Sequence, residues 1–193
     1  MTRLVSTDPR AVRSRQVIIN AAVELLVEHG LAGTTIEAIA ARSGAAKTTI
    51  YRHWPDKRAV LLAAVETAVP SAAAPDRGSL RGDLAAFTED LARIVTTPPT
   101  SALVPALIDA AERDAEVAGL LAHFTAQRRK PMRAAIGRAV ERGEIPPDRV
   151  RDLDLIDDLL LGPLFYRRLL SRRPITPEFT STVTDTLVAA LTR

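Results

Sequence analysis

Apolar residues in this chain return every three or four positions, and no stretch alternates apolar with polar as a half-buried strand would. Between Val12 and His29 they fall at Ile19, Ala22, Val23 and Leu26, the stripe of an amphipathic helix, and Gly30 stands where such a helix stops. After Gly33, the Thr34 hydroxyl and Glu37 three residues on have the spacing of a capping box. They predict a short helix that buries Ile36, Ile39 and Ala40 and ends at Ser43-Gly44. A third helix covers Ala46 to His53 and is closed by Pro55. Asp56 is a natural N-cap for a fourth, running through Val60, Leu61, Ala64 and Val65.

Two short helices across a glycine-containing turn, braced by a longer helix, follow the helix-turn-helix plan. The third helix has only two turns, too few to hold alone, so the others must present it. Pro70 to Gly78 reads as a linker by composition. Beyond it Ser79 caps a helix with Leu80, Leu84, Phe87, Leu91 and Ile94 on one face, ending at Pro98-Pro99. A short helix carries Leu103 and Leu107, with Pro105 in its first turns, and a long one runs from Ala115 to Arg142 and stops at Gly143. A leucine-rich helix follows Pro146-Pro147, from Leu153 to Leu170, and a last one runs from Pro177 to Leu191. Pro131 and Pro163 fall inside helical patterns and are expected to kink or break them. The class is all-α: an N-terminal arm and three-helix helix-turn-helix domain over residues 1–65, and a larger helical domain over 66–193.

Aromatics are 4% of the 193 residues against 47% hydrophobic overall, so Ala, Leu, Val and Ile build the core, which favours close-packed helices. Net charge is +3, but residues 1–60 hold nine Lys/Arg against five Asp/Glu. The basic excess sits at one end and suits an anionic partner there. With no cysteine, disulfides, thiolate metal sites and cysteine catalysis are excluded. The polar N-terminus, with Arg3, Arg10, Arg13 and Arg15, lacks the apolar region of a signal peptide and reads either as a tail or as an arm reaching the minor groove. No apolar run approaches the roughly 18 residues of a membrane span. A cytoplasmic protein is expected, with no membrane partner.

The chemistry concentrates on the third helix, Ala46-Lys47-Thr48-Thr49-Ile50-Tyr51-Arg52-His53. Lys47 and Arg52 suit phosphates or guanine edges, Thr48 and Thr49 suit bases or thymine methyls, and Tyr51 can donate to a phosphate. Lys57, opening the next helix, can grip the backbone. Ile50 and Trp54, four apart, should pack inward. The bland alternative for each cation is a solvated surface.

The run Thr34-Thr35-Ile36-Glu37-Ala38-Ile39-Ala40-Ala41-Arg42-Ser43-Gly44, followed by Thr49-Ile50-Tyr51-Arg52-His53-Trp54-Pro55-Asp56-Lys57, resembles the DNA-binding domain of the tetracycline-repressor (TetR) family over residues 12–65. The resemblance implies that Thr35, Lys47, Thr48, Thr49, Tyr51, His53 and Lys57 occupy positions where members contact DNA. It also implies a homodimer with a helical C-terminal ligand domain: a transcriptional repressor released from a pseudo-palindromic operator by a small molecule. Arg138-Ala139-Val140-Glu141-Arg142-Gly143-Glu144-Ile145-Pro146 and Gly162-Pro163-Leu164-Phe165-Tyr166-Arg167 resemble one branch of the family's C-terminal domains more loosely. Two departures bear on operator choice. Ala45 and Ala46 replace the usual Val-Ser, removing a side-chain cap worth about 1 kcal/mol, and Trp54 stands where Phe is usual.

In the C-terminal region Phe87, Leu91, Leu107, Phe124, Phe165 and Tyr166 are candidates to line a cavity for a hydrophobic or aromatic effector. Ordinary core has the same composition, so sequence does not separate the two. Leu160, Leu164, Leu169, Val183, Leu187 and Leu191 on the last two helices are candidates for a four-helix dimer interface, or else complete the monomer core. Effector binding is expected to shift the helix that begins near Asp56 and so the separation of the two reading helices. Among rival classes, an enzyme finds no support: His29, His53 and His123 form no metal signature, and no phosphate loop or nucleophile elbow occurs. Neither a metal nor a cofactor is expected. Asp152, Asp154, Asp157 and Asp158 are expected to form a solvated face at a helix N-terminus. An architectural DNA binder without effector would not need the long helical C-terminal region.

Overall fold

The structure, a computed structural model, describes residues 9–69 and 76–192, and among them every regular element is helical. Two compact units result: residues 1–70 with 102–124, and residues 71–101 with 125–193. The expected boundary at 65/66 falls within a helix. The Pro70–Pro75 part of the expected linker, and Arg3, lie outside the described residues.

In the first unit α1 (Pro9–Gly33) buries Ile18, Ile19, Ala22, Leu25 and Leu26, and the backbone leaves helical geometry at Gly30, where φ is 64°. Arg10, Arg13 and Arg15 lie on its first turns, so helix begins where a tail or arm was expected. Helix α2 (Ile36–Ser43) ends at Gly44 in the left-handed conformation (φ 68°), which glycine adopts without strain. Its cap falls one residue later than the sequence suggested. Thr35 Oγ1 accepts from the Ala38 N–H at 3.1 Å, while Thr34 is buried and its hydroxyl donates to the Gly30 carbonyl at 2.7 Å. With Thr35 as N-cap, Glu37 is the second helical residue and cannot close a capping box, which needs the third.

Helix α3 (Lys47–His53) starts at Ala46 with no side-chain cap, and Ile50 (0% exposed) and Trp54 (5%) pack inward as their spacing predicts. Asp56 caps α4 (Lys57–Ala68) by accepting from the Ala59 N–H at 2.8 Å. Helix α1 packs on α2 and α4, and α2 on α3. Helices α6 (Thr100–Ala111) and α7 (Ala115–Glu141) contribute residues to both units.

In the second unit α5 (Leu80–Thr96) packs on α8 (Leu153–Phe165) and α9 (Pro177–Thr192) around Leu84, Phe87, Ile136, Leu160, Leu164 and Leu187. Ser79 caps α5 through Gly82, and the Glu144 carboxylate accepts the Leu80 N–H at 2.7 Å, so two of the four orphan donors at this helix start are satisfied. Pro105, Pro131 and Pro163 all lie inside continuous helices. Pro163 does not break its helix either: α8 continues to Phe165 and passes into a π turn, Tyr166–Leu170.

The acidic cluster is not the solvated face that its composition suggested. Asp152 caps α8 through the Leu155 N–H, but Asp157 is fully buried and accepts from Arg133 Nε at 2.9 Å, with Arg129 Nε at 3.7 Å. Asp154 also pairs with Arg133. Burial pushes the Asp157 carboxyl above its ordinary range, against the pull of Arg133 and then Arg129. Helical periodicity explains the difference, because Asp157 falls within the arc of the buried Leu160 and Leu164, Asp154 stands at the edge of that arc where it shares Arg133, and Asp158 points away.

Two stability predictions follow from these carboxylates. Arg133→Met leaves Asp157 buried with only a long contact to Arg129, and should cost about 2–3 kcal/mol in urea unfolding, the low side for a buried pair because Arg133 reaches solvent. Adding Asp157→Leu should restore most of that loss; a double variant no better than the single one would refute the buried charge as its source. Glu144 is held below the usual glutamate range, first by the Leu80 N–H and then by Arg142. Since its folded value is depressed, its stabilisation is present above the ordinary glutamate value and is lost as pH falls through the acid range. Glu144→Gln should therefore flatten acid unfolding, and an unchanged pH profile would count against this role.

Candidate nucleic-acid interface

The inward anchors of α3 determine what it shows outward. With Ile50 and Trp54 buried, Lys47, Thr48, Tyr51 (48% exposed) and Arg52 stand on the solvent side, and Thr49 and His53 are half-buried at its edges. The exposed set is two cations, a hydroxyl and an aromatic ring with a donor tip, on a helix whose rotation is fixed. Lys57 is exposed in the first turn of α4 and has no ion pair among the described residues. Thr35 is half-buried; its oxygen accepts the Ala38 N–H, which leaves the hydroxyl proton for an outside acceptor.

Glu37, expected as a cap, instead accepts from Lys47 Nζ at 2.6 Å across the turn between α2 and α3. That hydrogen bond, before any other cause, holds the Glu37 carboxyl below its usual range. Both side chains are more than half exposed. The pairing was hidden in the sequence because it depends on the one-residue shift of the cap.

Arg15 was also missed as a contributor. Its guanidinium lies 5.2 Å from the centroid of the Trp54 ring, tying α1 to the end of α3 by a cation–π contact. The His53 ring packs beside Trp54, with centroids 5.5 Å apart, and its buried Nε2 has no hydrogen-bond partner. Burial first, then the charges of Arg52 and Arg15, pushes His53 below the ordinary histidine value, so it stays neutral at neutral pH. Arg42 faces α1, pairing with Glu28 (2.7 Å) and Glu24 (3.3 Å), and braces α2 rather than the exposed face.

The remaining site candidates divide between the units. Leu107 and Phe124 are buried in the first unit; in the second, Phe87 is buried, Leu91 and Phe165 are half-buried, and Tyr166 is 61% exposed. Leu160, Leu164, Val183, Leu187 and Leu191 lie within the second unit's own core, and Leu169 is half-buried. The apolar side chains that α8 and its π turn leave outward are Leu155, Leu159, Tyr166 and Leu170. Composition hid this division, because the leucine-rich helix is apolar on two faces. Among the described residues no three His, Asp or Glu are grouped to hold a metal ion, and no single helix is long and apolar enough to cross a membrane.

Residues 18–64 match the domain of bacterial regulatory proteins of the tetR family, and residues 74–187 match the tetracyclin repressor-like C-terminal domain. The chain is 32% identical over 191 residues to an HTH-type transcriptional regulator of Mycobacterium tuberculosis, spanning 97% of this chain and 93% of that one. It is also 32% identical over 180 residues to the DNA-binding transcriptional repressor TetR of Mycobacteroides abscessus, spanning 91% and 92%. The crystal structure of the TetR family transcription regulator SCO0332 superposes with a TM-score of 0.71 at 33% identity, over 93% of this chain and 98% of that one. GusR of Salmonella enterica, at 23% identity and a TM-score of 0.71 over 98% and 99%, shares the fold.

The division between anchors and presented residues predicts opposite responses to truncation. Ile50→Ala should destabilise the protein by about 2–4 kcal/mol, whereas Lys47→Ala and Tyr51→Ala should leave unfolding within about 0.5 kcal/mol of wild type. Thermal and urea unfolding read the difference; comparable losses in all three would mean that the exposed face has been misassigned.

Proposed function

Because the chain belongs to the tetR family of bacterial regulatory proteins, we propose that it acts as a homodimeric repressor that leaves a pseudo-palindromic operator when a small effector binds. The observation that carries the reading is the outward face of α3, with Lys47, Thr48, Tyr51 and Arg52 held at a fixed rotation by the buried Ile50 and Trp54. In the proposed complex Lys47 and Arg52 meet phosphates or guanine edges, Thr48 and Thr49 read bases, and Tyr51, Thr35 and Lys57 donate to the backbone. His53, neutral and half-buried, contributes through its ring position. Two copies of α3 enter successive major grooves about 34–36 Å apart.

The dimer face is assigned to the outward stripe Leu155, Leu159, Tyr166 and Leu170, spaced four, seven and four residues apart, which is supported by the burial of the other leucines within the monomer. An isologous contact through these residues would cover the largest exposed apolar side chains of α8 and its π turn. The effector is proposed to be hydrophobic or aromatic, with Phe87, Leu91 and Phe165 of the second unit as its candidate contacts. A preference of about 1–3 kcal/mol for the non-binding conformer would suffice for release. Such a regulator works on DNA in the cytoplasm.

The reading is tested by fluorescence anisotropy on the DNA upstream of the protein's own gene, beside a scrambled duplex and a salt series. Native DNA should bind in the range of about 10⁻⁸ M or tighter, and the scramble at least about a thousandfold more weakly with steep salt dependence. Lys47→Ala with Tyr51→Ala should abolish the difference while sedimentation still reports a dimer. Equal, weak binding to both duplexes would oppose the assignment. Leu159→Glu, placed on the exposed stripe, should yield a folded monomer; a variant that stays dimeric would move the interface elsewhere.

A further inference from the structure

The first unit contains a recess of about 340 Å³ between the end of α1, the first turns of α4 and the corner where α6 turns into α7. This is at the small end of ligand-pocket sizes, which run from about 300 to 1,000 Å³. Leu61 and Leu120, both nearly fully buried, line it together with the half-buried Leu31, Ala110 and Val117. Its polar rim sorts into groups already engaged and groups that are not. Asp114 is the cap of α7, accepting from the Glu116 N–H at 2.8 Å, and Arg113 is held by Asp109. Lys57 and Arg58, adjacent at the start of α4, are exposed and have neither an ion pair nor a side-chain hydrogen bond among the described residues. The Arg58 guanidinium lies against α7 at the edge of the recess, at ordinary contact distance (3.6 Å) from where a Cβ on Gly119 would sit. Glu116, also on the rim and exposed, opposes a ligand carrying more than one negative charge.

An apolar floor, two adjacent cations without an ion pair among the described residues, and the opposing carboxylates of Asp114 and Glu116 together describe the complement of an amphiphilic monoanion. We propose that this recess binds a medium-chain carboxylate, with the tail against Leu61, Val117 and Leu120 and the carboxylate on Arg58 and Lys57. The site is separate from the set Phe87, Leu91, Leu107, Phe124, Phe165 and Tyr166, with which it shares no residue. It also carries a regulatory consequence. Lys57 is one of the cations assigned to the DNA backbone, so a carboxylate bound to it removes a phosphate contact directly and no helix has to move. That consequence rests on the operator-binding reading; binding of the carboxylate does not.

The test titrates decanoate into the full-length, DNA-free protein by isothermal calorimetry, with acetate and 1-octanol as probes that lack the tail and the charge. Decanoate should bind saturably at one per chain, acetate should not bind, and 1-octanol should bind more weakly. Arg58→Gln should weaken decanoate about tenfold, the loss of one charge-assisted hydrogen bond, and Val117→Trp should abolish binding by filling the recess. Should Val117→Trp fold poorly, the exposed Arg58→Gln carries the test. Absence of saturable binding, or wild-type affinity in both variants, overturns the site. Decanoate should also weaken binding to DNA that the protein recognises, and this effect should vanish in Val117→Trp. Saturable binding with unchanged DNA affinity would overturn the competition, and a protein that binds decanoate but recognises no DNA would refute the operator reading while leaving the site in place.

Discussion

The fold's functional surface depends on the burial of two side chains, Ile50 and Trp54, beneath a helix of seven residues. A helix of two turns lacks the hydrogen bonds to offset its own nucleation, and α3 also lacks a side-chain cap at Ala46. Its existence is therefore borrowed from tertiary contact. Helices α2 and α1 supply this support, α1 also through Arg15 over the Trp54 ring. The same burial sets the rotation of α3, so the residues that keep it folded also select those that face outward.

Caps and glycines were the most legible part of the sequence. Asp56 and Ser79 start α4 and α5 as read, and Gly30 and Gly44 take the positive φ that a helix end asks of glycine. The signal weakened where two residues had equal claims. Thr34 and Thr35 are both good caps, and only the tertiary position of Thr34, buried and bonded back to Gly30, leaves the role to Thr35. A one-residue shift then changed the chemistry of Glu37 from cap to counter-ion. In α8 the difficulty was of another kind, because a helix apolar on both sides does not say which leucines are core. Leu160 and Leu164 are interior while Leu155 and Leu159 are exposed, a division that turns on about a hundred degrees of rotation per residue.

Charge is used in two different ways, and burial separates them. In the second unit Asp157 is sealed among apolar neighbours with Arg133 and Arg129 beside it, and its Oδ1 has no partner. Desolvation nearly cancels the attraction in such a cluster, so it adds little net stability, yet removing one member leaves a charge that water cannot reach. That arrangement is fixed. Asp83, buried and accepting the Arg77 N–H at 2.6 Å with Arg138 at 3.4 Å, follows the same pattern near the start of α5.

The Lys47–Glu37 pair is of the opposite kind. Both groups are more than half exposed, so water and salt screen their attraction and either can leave at little cost. A lysine held this way is kept from wandering over the surface but is not committed to its partner. In the proposed complex a phosphate arriving at α3 offers Lys47 a second anion, while Glu37, next to the same surface, repels any backbone that fails to engage Lys47 well. Non-specific contact, which depends almost wholly on phosphate neutralisation, feels that repulsion in full. The base contacts proposed for Thr48 and Arg52 add binding energy on top of that common term. In the proposed complex a carboxylate beside α3 lowers affinity for every sequence alike, which leaves discrimination between sequences to the base contacts.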